Sequence, residues 1–221
     1  MIAIAIDGPA GAGKSSIARK VAANLGCIYV DTGALYRTIG YAALRDGLDP
    51  KDEEAVVGLL PGLKVELAFA DGEQQVLLNG ENVSGCIRTP EVSMAASAVS
   101  AMPPVRDFLF SLQQDMAKAN NVIMDGRDIG TKVLPWAQVK IFLTASPEER
   151  ARRRYEELVG KGQDVRYEDV LEDMRQRDYN DSHRAVAPLK PAEDAVIVDT
   201  TGNDFEQSVD LLTNLIKERL A

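Results

Sequence analysis

Eight residues near the N-terminus, Gly8-Pro9-Ala10-Gly11-Ala12-Gly13-Lys14-Ser15, fit the spacing G-x-x-x-x-G-K-[ST]. Each element has a chemical reason. Glycines let backbone N–H groups converge on phosphate oxygens, and the start of a following helix adds its dipole. Lys14 supplies a point charge for the β- and γ-phosphates; Ser15, followed by Ser16, offers an oxygen to a Mg²⁺ held mostly by nucleotide phosphates and water. At average composition the pattern arises by chance in about one chain in a hundred of this length. Here the apolar run Ile2–Ile6 precedes it and a helical pattern follows. The reading is nucleoside triphosphate binding.

A phosphate cradle leaves open what happens to the phosphate. A GTPase switch normally carries an Asn-Lys-x-Asp element, and no Asn in this chain is followed by Lys. A small-molecule kinase needs an acceptor site and an arginine-bearing cover. Asp31-Thr32-Gly33-Ala34-Leu35-Tyr36-Arg37 and Met124-Asp125-Gly126-Arg127-Asp128 each follow a short apolar run, where α/β sheets bind ligands. Further arginines crowd residues 150–190. Arg150, Arg152, Arg153 and Arg154 cannot all face one way on a helix, so Arg152 and Arg153 read as a solvated face. Arg177 and Arg184 flank Asp178-Tyr179-Asn180-Asp181 and are the better candidates for a phosphate. His183, the only histidine, reads as a bystander, because transfer to an already ionised phosphate needs no base.

The elements that must position these groups alternate between strand and helix. Short apolar runs at Ile2–Ile6, Cys27–Val30, Val122–Met124, Val139–Leu143 and Ala195–Val198 read as buried parallel strands. Helical patterns cover Ser15–Leu25, Leu35–Leu44, Pro90–Ala101, Val105–Ala119, a stretch opened by Ser146-Pro147-Glu148-Glu149, Tyr167–Tyr179 and Phe205–Leu220. Val65–Phe69 and Val76–Leu78, with turns at Asp71-Gly72 and Asn79-Gly80, interrupt that order as an antiparallel insertion of roughly 63–85. The class is α/β with a mainly parallel sheet.

Composition agrees with that class. The chain has 221 residues, 45% of them hydrophobic and 27% charged, which excludes disordered, collagen-like and coiled-coil classes. Met1–Ile6 is too short for a signal peptide, and no 18-residue apolar stretch follows. Cys27 and Cys86 are too few for a disulfide framework and read as small buried residues of a reducing compartment. Of the net charge of −9, residues 48–95 carry −6 and 191–221 carry −5, while 140–190 balance. A nucleic acid polymer is an unsuitable partner for such a chain; a small phosphorylated ligand needs only a local positive pocket.

The chain resembles the bacterial cytidylate kinase family over nearly its whole length. The resemblance rests on IDGPAGAGKSS (6–16), DTGALYR (31–37), ENVSGCIRTPEVS (81–93), AASAVSAMPPVR (95–106), MDGRDIGT (124–131), VKIFLTASPEERARRR (139–154) and SHRAVAPL (182–189). It implies a nucleoside monophosphate kinase-like fold, a central parallel sheet flanked by helices with a small antiparallel insertion and a helical lid. It also implies one domain: core 1–62, 90–150 and 190–221, a monophosphate-binding insert of about 63–89, and a lid of about 150–185. The implied reaction is ATP-dependent phosphorylation of CMP or dCMP by a cytoplasmic enzyme, expected to be a monomer, acting on small molecules and not on membranes. Gly8, Pro9, Ala10, Gly11, Ala12, Gly13, Lys14, Ser15 and Ser16 would hold ATP. Thr32 and Arg37 would meet the acceptor, Arg37 at its phosphate. Ser97, Arg106 and Asp128 would read the cytosine edge, and Arg177 and Asp181 the ribose hydroxyls. Lys14, Arg127, Arg177 and Arg184 would neutralise the transferring phosphates. Thr32 stands where the family often has Ser, Pro104 where some relatives have Arg, and His183 where the lid often has Asn. A kinase for another monophosphate such as UMP, and an ATPase or switch that drives a partner, are the alternatives.

Overall fold

The computed structural model describes residues 1–70 and 73–221, with Glu73 by its backbone alone. The Asp71-Gly72 turn therefore lies outside the described residues. Five strands form one sheet: β1 (Ala3–Asp7), β2 (Ile28–Asp31), β6 (Val122–Gly126), β7 (Val139–Thr144) and β8 (Val196–Asp199), in the order β2-β6-β1-β7-β8. β1 pairs in parallel with β6 and β7, and β7 in parallel with β8. β1 and β6 are buried at every position, so they carry unbroken apolar runs ending in Asp or Gly. A second sheet, β3 (Val65–Ala70), β4 (Glu73–Leu78) and β5 (Glu81–Asn82), is antiparallel.

The chain divides into two compact units, Met1–Tyr29 with Ala119–Ala221, and Val30–Lys118. The second unit is wider than the stretch read as an insertion. It contains α2 (Thr32–Arg45), α3 (Glu53–Leu59), α4 (Pro90–Val99) and α5 (Pro103–Ala119) besides the antiparallel sheet. Its core joins Leu35 and Ile39 of α2 to Val76 and Leu78 of β4, Val92 and Val99 of α4, and Leu109 of α5. The first unit packs α1 (Lys14–Leu25) and α8 (Phe205–Leu220) through Ile17, Val21, Leu212 and Ile216 onto Ile4, Ile123 and Ile141 of the sheet. α6 (Pro147–Gly160) and α7 (Tyr167–His183) pair through a small cluster of Ala151, Leu158 and Val170.

Helix starts follow their capping residues. Asp31, Asp52, Thr89, Ser146 and Asp204 each accept from the amide three residues on, and Asp204 with Gln207 completes a capping box. The Asp31 cap makes α2 begin at Thr32, three residues before its apolar stripe. α3 and a π-helical turn at Ile129–Val133 were not apparent from the sequence. α3 buries only Val56 and so has little periodicity to show. The expectation of two buried cysteines needs correction. Cys27 is half-buried, and Cys86 is exposed in the turn region after β5, next to exposed Gly85.

The end of β1 fixes the start of the cradle. Gly8 has φ +152, and a Cβ there would stand 1.9 Å from the Leu143 carbonyl oxygen of β7. Neither β7 nor β1, both central, can retreat. Gly8→Ala should therefore cost about 3 kcal/mol or more of unfolding free energy. Urea denaturation checks this; a loss under about 1 kcal/mol would contradict the packing.

Candidate active site

The cradle leads into α1, whose first cap, Gly13, is left-handed at φ 79 and offers no side chain to the helix N–H groups. No acidic residue occupies its first turn. Five other helices here satisfy those amides with their own oxygen, so α1 starts with donors left for a ligand. Lys14, 5% exposed, donates to the Pro9 carbonyl at 2.6 Å. Burial pushes its pKa down to about 7, and the Arg127 guanidinium pushes the same way, while Asp125, Asp7 and Asp181 pull it back. Such an ammonium is short of negative charge.

Ser15 donates to Asp125 Oδ2 at 2.8 Å, and the Tyr29 hydroxyl donates to Asp125 Oδ1 at 3.1 Å. A hydroxyl and a carboxylate oxygen together, next to a phosphate cradle, fit a Mg²⁺ that completes its shell with phosphate and water. Among the described residues no group of three or more His, Cys, Asp or Glu could hold a metal by itself. Asp125 is thus the partner of Ser15 that the motif alone did not reveal; its place at the end of β6 was the available signal.

Beyond β6, Asp7 reaches across from β1. Its buried carboxylate accepts from the amides of Ile129 and Gly130, both at 2.7 Å, and so ties down the turn carrying Arg127 and Asp128. Arg127 Nε donates to Asp181 Oδ2 at 2.8 Å, and Arg184 lies 3.7 Å from Asp128 with both side chains buried. Lys14, Arg127, Asp128, Asp181 and Arg184 therefore belong to one unit and interact there. Arg177 sits one turn before Asp181 on the same helix and is exposed. Arg152 pairs with Glu149 on its own helix and is exposed, in keeping with a solvated face. Arg153 departs from that reading, for besides Glu149 it donates to the Thr200 and Asn203 carbonyls beyond β8 at 3.1 and 3.3 Å and is half-buried there. His183 stacks on Tyr179 at 4.1 Å, with Nδ1 against the Tyr179 carbonyl.

Thr32, Arg37, Ser97 and Arg106 belong to the second unit. There Arg37 donates to Asp31 Oδ2 at 2.7 Å, and Arg88 reaches the same oxygen at 3.3 Å. Asp31 itself is held by Gln74, whose Oε1 accepts from its amide at 2.8 Å. Two guanidiniums on one carboxylate leave a positive charge, and the buried Arg37 Nε has no hydrogen-bond partner among the described residues. That arrangement suits an anion. Arg88 escaped the sequence reading because it meets Asp31 only through the fold. Thr32 is buried, Ser97 is half-buried on α4, and Arg106 lies over the Tyr36 ring at 5.5 Å while donating to the Ser100 carbonyl at 3.1 Å.

Asp7 also makes the site's cost in stability measurable. Burial, helped by the Asp128 charge, raises its pKa from 3.8 to about 6, against the pull of the Gly130 and Ile129 amides and of Lys14. The native state then binds the Asp7 proton more tightly than the unfolded chain. Its stabilising effect is full below the unfolded pKa near 4 and is lost as pH rises through 6. Measured against Asp7→Asn, the unfolding free energy of the wild type should fall by about 3 kcal/mol between roughly pH 4 and pH 7. A difference independent of pH would contradict the burial of an ionising group there.

A family model described as cytidylate kinase matches residues 4–218. A protein named cytidylate kinase from Caldicellulosiruptor bescii is 51% identical over 206 residues, 93% of this chain and 91% of its own. Another of that name from Ligilactobacillus salivarius is 51% identical over 216 residues, 98% of this chain and 96% of its own. Among solved structures, an uncharacterized protein from Eubacterium ventriosum aligns with a TM-score of 0.51 over 98% of this chain and 99% of that one; at 11% identity the likeness is one of fold alone.

Proposed function

The chain belongs to the cytidylate kinase family, and from that premise we propose that it transfers the γ-phosphoryl group of ATP to CMP or dCMP, giving ADP and CDP or dCDP. The observation that carries the donor side is buried, charge-starved Lys14 beside the Ser15–Asp125 pair at an uncapped helix start. Gly8 to Ser16 hold the triphosphate through the backbone amides of every residue but Pro9, which has no N–H, and Lys14 leaves the Pro9 carbonyl for its β- and γ-oxygens. Ser15 and Asp125 would hold Mg²⁺, which would supply positive charge to offset that of the β- and γ-phosphates. No helix among the described residues is long and apolar enough to cross a membrane. The proposed reaction is that of a cytoplasmic monomer acting on small molecules.

The acceptor phosphate goes to Arg37, whose unpartnered Nε is a donor in waiting, with Thr32 at the start of α2 beside it. Arg127, Arg177 and Arg184 neutralise the equatorial oxygens in transfer, a task of positioning and electrostatics that needs no base. Asp181 accepts from a ribose hydroxyl, and Asp128 from the cytosine amino group, with Ser97 and Arg106 donating to the ring. Arg127 pairs with Asp181 and buried Arg184 lies near Asp128, so each acid offsets the charge of an arginine at the site. Residues of about 150–185 serve as the lid over the transferring group and keep out water, a competing acceptor.

The test is ADP release across a panel of monophosphates. CMP and dCMP should support turnover, UMP should be less efficient by roughly 10²-fold or more, and ATP alone should turn over negligibly. ATP consumption independent of any acceptor would favour an ATPase. In Asp128→Asn the CMP efficiency should drop and the CMP-to-UMP gap narrow, because an amide can donate to the uracil carbonyl. Equal losses for both would show that Asp128 supports its loop without reading the base.

A further inference from the structure

Arg150 stands apart from the arginines that follow it on α6. Its side chain is 3% exposed, and every nitrogen of its guanidinium has an acceptor. Nε donates to the Ala145 carbonyl at 2.9 Å. Nη1 donates to the Ala10 carbonyl at 2.9 Å and to Asp178 Oδ1 at 3.1 Å, and Nη2 to Asp178 Oδ2 at 2.6 Å. Ala10 lies in the phosphate cradle and Asp178 on α7. One turn earlier on α7, buried Met174 places Sδ and Cε 3.0 Å from where a Cβ on Gly11 would stand; Gly11 has φ +72. Two residues four apart on α7 thus reach two successive residues of the cradle, Met174 directly at Gly11 and Asp178 through Arg150 at Ala10.

The chemistry of the contact is more than packing. A peptide unit is planar and trans, so gripping the Ala10 oxygen also sets the direction of the Gly11 N–H on its far side. Burying a guanidinium costs desolvation that an apolar contact would avoid, and only a planar fork serves one carbonyl and both oxygens of a carboxylate together. Asp178 lies between Arg177 and Asp181, so whatever holds Asp178 also holds its neighbours' place along the helix.

We propose that Arg150 is a positioning residue that locks α7 to the Ala10 peptide, so that filling the cradle with a nucleoside triphosphate and seating α7 are one coupled event. The inference rests on the cradle holding ATP and is indifferent to which monophosphate is the acceptor. Its test uses Arg150→Lys, which keeps the charge and loses the fork, and Asp178→Asn, which keeps one acceptor. ATP affinity is measured by calorimetry, and kcat with the separate KM values for ATP and CMP by steady-state kinetics. Each variant should weaken ATP binding about 5- to 10-fold and lower kcat about 10-fold or more, while KM for CMP moves less than about 2-fold. Folded variants with ATP affinity and kcat within about 2-fold of the wild type, or with ATP and CMP constants weakened in equal proportion, would overturn the tether. If Arg150→Lys does not fold, Asp178→Asn, in a half-buried position, decides alone. A wild type that fails to bind ATP refutes the cradle's role itself; a wild type that binds beside indifferent variants refutes the tether only.

Discussion

The structure turns on a cation it can barely afford to keep charged. Lys14 is nearly sealed from water, beside a second cation, with one carbonyl as its hydrogen-bond partner and three carboxylates at longer range. Removing Asp125, Asp7 or Asp181 would leave that ammonium still worse off, and each of the three has a second duty. Asp125 takes the Ser15 hydroxyl, Asp7 the amides of the Ile129 turn, and Asp181 the Arg127 guanidinium. The charges of the first unit thus form a balance in which the ammonium remains short of negative charge, which a phosphate would supply. In the second unit Asp31, between Arg37 and Arg88, repeats the principle with one carboxylate and two guanidiniums.

That balance can be held because the backbone around it has no freedom to relax. Gly8 lies against the Leu143 carbonyl of a central strand, and Gly11 against Met174. The Ala10 carbonyl is gripped by Arg150. A cradle of backbone amides binds phosphate well only if the amides are already aimed, since no energy is then spent on aiming them during binding or transfer. The strand below, the helix behind and the guanidinium above supply that rigidity.

Local signals were the legible ones. The cradle, the alternating strands and helices, the capped start of α6 and the meander all depend on residues close together in sequence, and their elements lie where pattern and capping put them, with starts shifted by a few residues. The missing pieces are long-range. Nothing in the run Arg150–Arg154 says that the first of the four is buried on Ala10 and Asp178 while Arg152 faces solvent and Arg153 turns to the Thr200 and Asn203 carbonyls, because helical phase depends on what α6 packs against. Arg88 and Asp31 are separated by 57 residues and meet only in the folded unit. Cys86 looks like a buried apolar residue by type, yet the turn region after β5 leaves it exposed. The short α3 has one buried side chain and so no period to read.

The most direct test of the buried-cation account is a crystal structure with a non-hydrolysable ATP analogue and CMP both bound. The account predicts that Lys14 Nζ will have left the Pro9 carbonyl for oxygens of the β- and γ-phosphates, with the Ala10 carbonyl still on Arg150. Lys14 remaining on Pro9 while the triphosphate lies elsewhere would contradict it.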